Sequence, residues 1–185
     1  VRPRLFAHSI YMKNLEIAFN LLSRYLIIRH SFLTIEVVML IIPGGRALSD
    51  FNQSKLLRNI HGVMPSVESV DARYQHFVDV SEDLNEQSQQ RLESLLNYGE
   101  EAFDDGQDGV LFLVTPRPGT ISPWSSKATD IVHNCGLLGV KRVERATAYY
   151  IAASTSLSVE DKQKISSLLH DRMMEEVAYG TESAS

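Results

Sequence analysis

The sequence predicts an α+β fold made of two β-α-β-α halves that pair as an internal pseudo-dimer. Two observations predict it. The chain repeats at a spacing of 73 residues: residues 37–98 align without a gap on 110–171, with twelve identities that include Val37/Val110, Leu40/Leu113, Pro43/Pro116, Ser49/Ser122, Val67/Val140 and Val70/Val143. Ordinary residue frequencies give roughly four. Each half also runs through the same hydrophobic patterns in the same order, and each is too small to bury enough surface by itself.

The elements follow in order. Short apolar runs at 37–42 and 110–115 have the pattern of strands buried on both faces. A helix follows each. In the second half Trp124, Ala128, Ile131, Val132 and Cys135 fall on one helical face, and in the first Leu56, Leu57, Ile60 and Val63 do the same. A one-residue adjustment in the first helix also aligns Ser54-Lys55 with Ser126-Lys127 and His61 with His133.

A long strand comes next. Val70, Ala72, Tyr74, His76, Val78 and Val80 alternate with polar residues, which predicts one buried face, and residues 143–153 are the counterpart. The last helix of each half opens at Asn85 and at Ser158. Asp161 stands in the place of a capping-box acid, and Gly99 closes the first of these helices. The second is expected to carry Ile165, Leu168, Leu169 and Met173.

Two segments stand apart. The acidic stretch 100–108 reads as a solvated connector; Asp104, Asp105 and Asp108 lack the spacing of a Ca²⁺ loop. Residues 1–38 are apolar, but Arg24, Arg29, His30 and Glu36 interrupt every run long enough to span a bilayer. They are read as an extension outside the native protein, with Met39 as the start. The domain then covers 39–178, in halves 39–99 and 109–178, and 179–185 begins a linker.

Composition narrows the function. The net charge of −5 argues against a broad nucleic-acid surface. The single cysteine, Cys135, excludes an internal disulfide and suits a reducing compartment. On an apolar stripe it reads as a small hydrophobe. His76 reads as a satisfied core or edge histidine. His133 and Cys135, two apart on a helix, point to different faces and make no zinc site. No G-x-x-x-x-G-K-[ST] or G-x-G-x-x-G occurs. No spacing marks a nucleophile, so no catalytic, cofactor-binding or metal-binding residue is expected in the chain.

The stretch TPRPGTISPWSSKATDIVHNCG is the least ordinary. Ser122 is an N-cap, Pro123 suits the first helical position, and Pro116, Pro118 and Gly119 shape the approach. Arg117 and Lys127 beside a helix start could hold an anion; the alternative is a stiff turn with a capped helix. Trp124, if only partly covered, would make a docking anchor.

The segments VTPRPGTISPWSSKATDIVHNCGL, VKRVERATAYYI, LHDRMMEEV and MLIIPGGRALSDFNQSKLL together resemble the N-terminal domain of phosphoribosylformylglycinamidine synthase (FGAR amidotransferase) in its large single-chain form. The resemblance covers residues 39–177. It implies a cytoplasmic enzyme of purine biosynthesis. That ligase converts formylglycinamide ribonucleotide, with ATP, Mg²⁺ and ammonia from glutamine, to the amidine. It implies a domain like a dimer of the separate small subunit of multi-chain versions. It places the ATP- and metal-binding synthetase domain and the glutaminase domain beyond Ser185, so the chain is read as a non-catalytic fragment. The implied partners are those two domains, with no nucleic acid and no membrane. The docking face is expected at Arg117, Ser122, Trp124, Ser125, Ser126 and Lys127. A regulatory module binding small ligands between its halves, and a gene fragment without function, are the alternatives.

Overall fold

In the computed structural model the chain is α+β. The structure describes residues 26–31, 36–99, 109–117 and 119–179. The expectations for the connector with Asp104, Asp105 and Asp108, for Pro118 and for residues 1–25, 32–35 and 180–185 lie outside these residues, while 26–31 and 36–38 of the expected extension fall in strands. The elements are β1 (Leu26–Ser31), β2 (Glu36–Arg46), α1 (Asp50–His61), β3 (Val67–Val80), α2 (Glu86–Leu96), β4 (Val110–Pro116), α3 (Pro123–Asn134), β5 (Val140–Ala153), α4 (Val159–Leu169) and β6 (Glu175–Tyr179). Hydrogen bonding orders the strands β1-β2-β3-β5-β4-β6, and β1/β2, β4/β5 and β4/β6 are antiparallel.

Every helix start obeys local chemistry. Ser49, Asn85, Ser122 and Ser158 each accept a hydrogen bond from the backbone N–H three residues on. Ser158 and Asp161 complete a capping box. Pro123 occupies the first turn of α3, where its missing N–H costs nothing.

The chain divides into two compact units, and each takes material from both sequence halves. The first gathers, among the described residues, those up to Gly45, Gln75–Gly99 and 119–145. Its core packs Leu40, Ile42, Val78, Val80, Leu92 and Leu96 against Val132, Leu137, Val140 and Val143. The second gathers Arg46–Tyr74, 109–117 and 146–179. Its core packs Ile60, Val67 and Val70 against Phe112, Val114, Ile151, Leu157, Ile165 and Leu169. β3 and β5 each contribute one end to either unit.

The two halves match element by element. α1 and α3 have 12 residues each, β3 and β5 have 14, and α2 and α4 have 11. Two bonds repeat across the central strand pair: Ser81 N–H to Gly139 O at 2.8 Å and Ser154 N–H to Ser66 O at 2.9 Å. Two histidines repeat as well, with His61 Nε2 2.6 Å from Val67 O and His133 Nε2 2.6 Å from Val140 O.

The gapless spacing is corrected ahead of β3. Leu40 and Ile42 enter the first core, while Phe112 and Val114, not Leu113, enter the second. Counting faces, the spacing is one residue shorter in the first strand and again at the histidines, while the N-caps Ser49 and Ser122 keep the original spacing. The second half has one more residue between its histidine and the next strand. A slip of one residue exchanges the two faces of a strand, so the Leu40/Leu113 identity joins residues on opposite faces.

Other expectations change too. Alternate positions on the second strand face, Phe77, Ala146 and Ala148, are buried as well, so β3 and β5 have more than one buried face. Ile131 is 48% exposed and Val63, beyond the end of α1, is 45% exposed; neither belongs to its stripe. The helix expected to reach Met173 stops at Leu169. Asp171 Oδ1 accepts from Met173 N–H at 2.8 Å, a local side-chain bond that turns the backbone out of the helix. Met173 is 81% exposed in the turn before β6, a strand that short polar sequence did not predict. Gly99 has φ 84° but lies two residues past the Asn97 cap.

Gly109 meets a stricter requirement. Its φ is 116°, and a Cβ there would stand 2.3 Å from Ile151 O. The positive φ alone costs an alanine about 1–2 kcal/mol, and the clash with backbone adds about 1–3 kcal/mol. Gly99→Ala meets nothing within 4 Å. Urea unfolding is expected to show Gly109→Ala losing about 3 kcal/mol and Gly99→Ala about 1 kcal/mol. Equal losses would contradict the close approach.

Candidate functional site

The polar chemistry of the first unit gathers where α3 begins. Ser122 Oγ accepts the Ser125 N–H at 3.0 Å and donates to Glu144 Oε1 at 2.8 Å. Ser125, fully buried, donates to Val143 O at 2.6 Å and accepts from Arg142 Nε at 3.2 Å. Arg142 also reaches Thr120 O at 3.1 Å and pairs with the Glu144 carboxylate. Glu144 takes a further bond from the Arg145 N–H at 3.1 Å. Helix entry, approach loop and β5 are thereby tied together, and the charges have partners that offset their desolvation.

Beside this knot lies an aromatic stack. The Trp124 ring stacks on His76 with centroids 5.6 Å apart and planes 27° apart. The Arg145 guanidinium stands 4.7 Å from the Trp124 centroid, within cation–π range. Tyr98 Oη is 3.0 Å from His76 Nε2 and 3.2 Å from Arg145 Nη1. Arginine can only donate, so the Tyr98 oxygen accepts from Arg145. In the tautomer with the ring proton on Nδ1, towards the Ile42 backbone, Nε2 accepts the Tyr98 proton. Nδ1 has no partner of hydrogen-bonding geometry, although the Ile42 backbone is near enough to favour the charged form.

His76 is fully buried, and burial lowers its pKa from 6.5 to about 4; the nearby Arg145 charge acts in the same direction. The reading of a satisfied core histidine thus holds at Nε2 and not at Nδ1.

The expected docking residues separate. Ser122, Trp124 and Ser125 come together, while Ser126 and Lys127 lie exposed on the next turn. Ser125 is corrected: with no exposed surface it can support a docking face only from beneath. Arg117 belongs to the second unit, where its N–H donates to Met174 O at 3.0 Å. His76 was weighed only as a core residue, and Tyr98, Arg142, Glu144 and Arg145 were not singled out at all. The charged run Lys141, Arg142, Glu144, Arg145 inside an otherwise apolar strand was the available signal.

The described His61, His133 and His170 bond backbone carbonyls, and His76 bonds Tyr98. Among the described residues no group of three or more His, Cys, Asp or Glu could hold a metal, and no helix is long and apolar enough to cross a membrane. Cys135 is half-buried at the end of α3, where its carbonyl accepts from Arg91 Nη1 at 3.1 Å.

His76 makes stability depend on pH. The unfolded chain takes up a proton near 6.5 and the folded one near 4, so stability falls as pH drops through that window. The full effect is about 3 kcal/mol. Urea midpoints measured between pH 7 and pH 4.5 are expected to fall less steeply in His76→Gln than in the parent; identical slopes would refute the assignment.

One comparison with known proteins bears on this site. A family model described as formylglycinamide ribonucleotide amidotransferase N-terminal matches residues 73–185, which include β5, all of α3, and the His76, Tyr98, Trp124 and Arg145 stack.

Proposed function

The chain belongs to the formylglycinamide ribonucleotide amidotransferase N-terminal family, of purine biosynthesis, and from that premise we propose that it is the structural part of this ligase. In this reading the whole enzyme turns formylglycinamide ribonucleotide, ATP and glutamine into formylglycinamidine ribonucleotide, ADP, phosphate and glutamate in the cytoplasm. The domain docks on the synthetase and glutaminase domains and helps keep ammonia on its path. The family match carries the proposal.

The docking face in this reading centres on the α3 entry. Ser126 and Lys127 are exposed, Trp124 is half-buried, and the network under them gives a rigid base; Ser122 and Ser125 act as that base. In the full-length enzyme, Lys127→Glu with Ser126→Arg is expected to uncouple the reactions. Glutamine hydrolysed per product formed should rise about tenfold, the effect of losing one strong interface contact. Tight coupling in that double variant would remove this face from the proposal.

We also infer that the domain arose by internal duplication and stands for two copies of a small subunit. Equal lengths in three of the paired elements, repeated caps and repeated bonds support this. Since each core draws on both halves, residues 36–99 alone are expected to be either unfolded or associated as two chains. A monomeric, cooperatively unfolding product in sedimentation and urea experiments would argue against it.

A further inference from the structure

The Tyr98 hydroxyl has a place that docking does not use. Tyr98 is the second residue after α2, following the Asn97 cap. Its ring meets His76 edge-on at 5.5 Å and lies 6.4 Å from Trp124. Its oxygen links the two groups that clasp the indole, one above and one beside it. Three elements therefore converge on one O–H: the α2 exit, β3 through His76 and β5 through Arg145.

We propose that Tyr98 is a latch, whose hydroxyl couples the exit of α2 to the orientation of Trp124 at the entry of α3. Closed, the latch holds Arg145 over the indole and His76 against it. Open, Arg145 loses this acceptor and His76 Nε2 loses its donor, so the clasp on the indole loosens. The groups facing His76 are Tyr98 from the α2 exit, Trp124 of α3, Arg145 of β5 and the Ile42 backbone of β2; Arg145 supplies the charge. Protonation at Nε2 turns this acceptor into a donor, so the Tyr98 O–H can no longer donate to it. Acid is therefore an experimental handle on the latch.

Tyr98→Phe keeps the ring and removes only the hydroxyl. Trp124 is the sole tryptophan, so its emission reports on the stack. At pH 7 the variant is expected to keep its far-ultraviolet dichroism while the emission maximum shifts to longer wavelength. The His76 ring titration, followed by NMR, should move up from about 4 by about half a unit to one unit, the effect of one lost hydrogen bond. Unchanged emission with an unchanged titration overturns the latch. A second measurement separates it from unfolding. In the parent protein, an emission change centred on the His76 titration and preceding the loss of dichroism supports the latch. A change that appears only with global unfolding overturns it, as does an acid step that persists in His76→Gln.

Discussion

The fold depends on β3 and β5 each being long enough to serve two cores. At 14 residues each they are well beyond the usual strand of five or six. The Gln75–Val80 end of β3 lies in one unit and the Val67–Tyr74 end in the other, and β5 divides in the same way at Arg145. The bonds from Ser81 to Gly139 and from Ser154 to Ser66 flank their pairing. No helix in this arrangement packs only on strands of its own half. The first core takes α2 from one half and α3 from the other, and the second takes α1 and α4. A half by itself would leave the inner faces of two helices and two strand ends in water. At about 25 cal/mol per Å² that exposure is larger than the net stability a domain of this size retains.

Much of this was legible because the chemistry is local. Capping needs only a Ser or Asn three residues from a free N–H, so Asn85, Ser122 and Ser158 could be read directly. Alternation in β3 and the leucines of α2 report one partner surface each, and period is enough to find them. What period cannot report is a competing local bond. Asp171 ends α4 where the apolar spacing runs on to Met173, and the residues that follow become an edge strand with little apolar signal. Nor can it report the phase between repeats, because a loop longer by one residue moves a strand to its other face while leaving identities in place. The His76, Tyr98, Trp124 and Arg145 stack was hidden for a different reason. Its members come from four elements, and only Trp124 stands in a stretch that looks unusual.

The network at the α3 entry suits rigidity better than reaction. A half-buried pair such as Arg142 and Glu144 contributes little net stability, because screening on the Arg142 side and desolvation of Glu144 offset much of the attraction. What it provides is geometry. Arg142 spans Ser125, Thr120 and Glu144, and Ser122 joins the helix cap to the same carboxylate. A helix whose first turn is fixed at that many points presents Trp124, Ser126 and Lys127 with little freedom to lose on contact. That is the condition under which a modest surface binds well. A catalytic site would instead leave a base free to move a proton, and the buried, neutral His76 is already committed to Tyr98.

The comparison of matching positions sharpens the point. Gln53 bonds Val70 O at 2.6 Å just as Ser125 bonds Val143 O at 2.6 Å, so both helices are anchored alike. Around that common anchor the side chains differ. Counted from the N-caps Ser49 and Ser122, Trp124 corresponds to Phe51, and by the strand spacing Arg145, His76 and Tyr98 correspond to Ala72, Tyr149 and Asp171. The clasp is not reproduced there: Phe51 is 70% exposed, and Ala72 has no charge to set over a ring. Selection for stability alone would act equally on two equivalent cores. On the proposed docking reading, a clasp built in one unit and missing from the other meets a demand that falls on that unit only, as a partner docking there would impose.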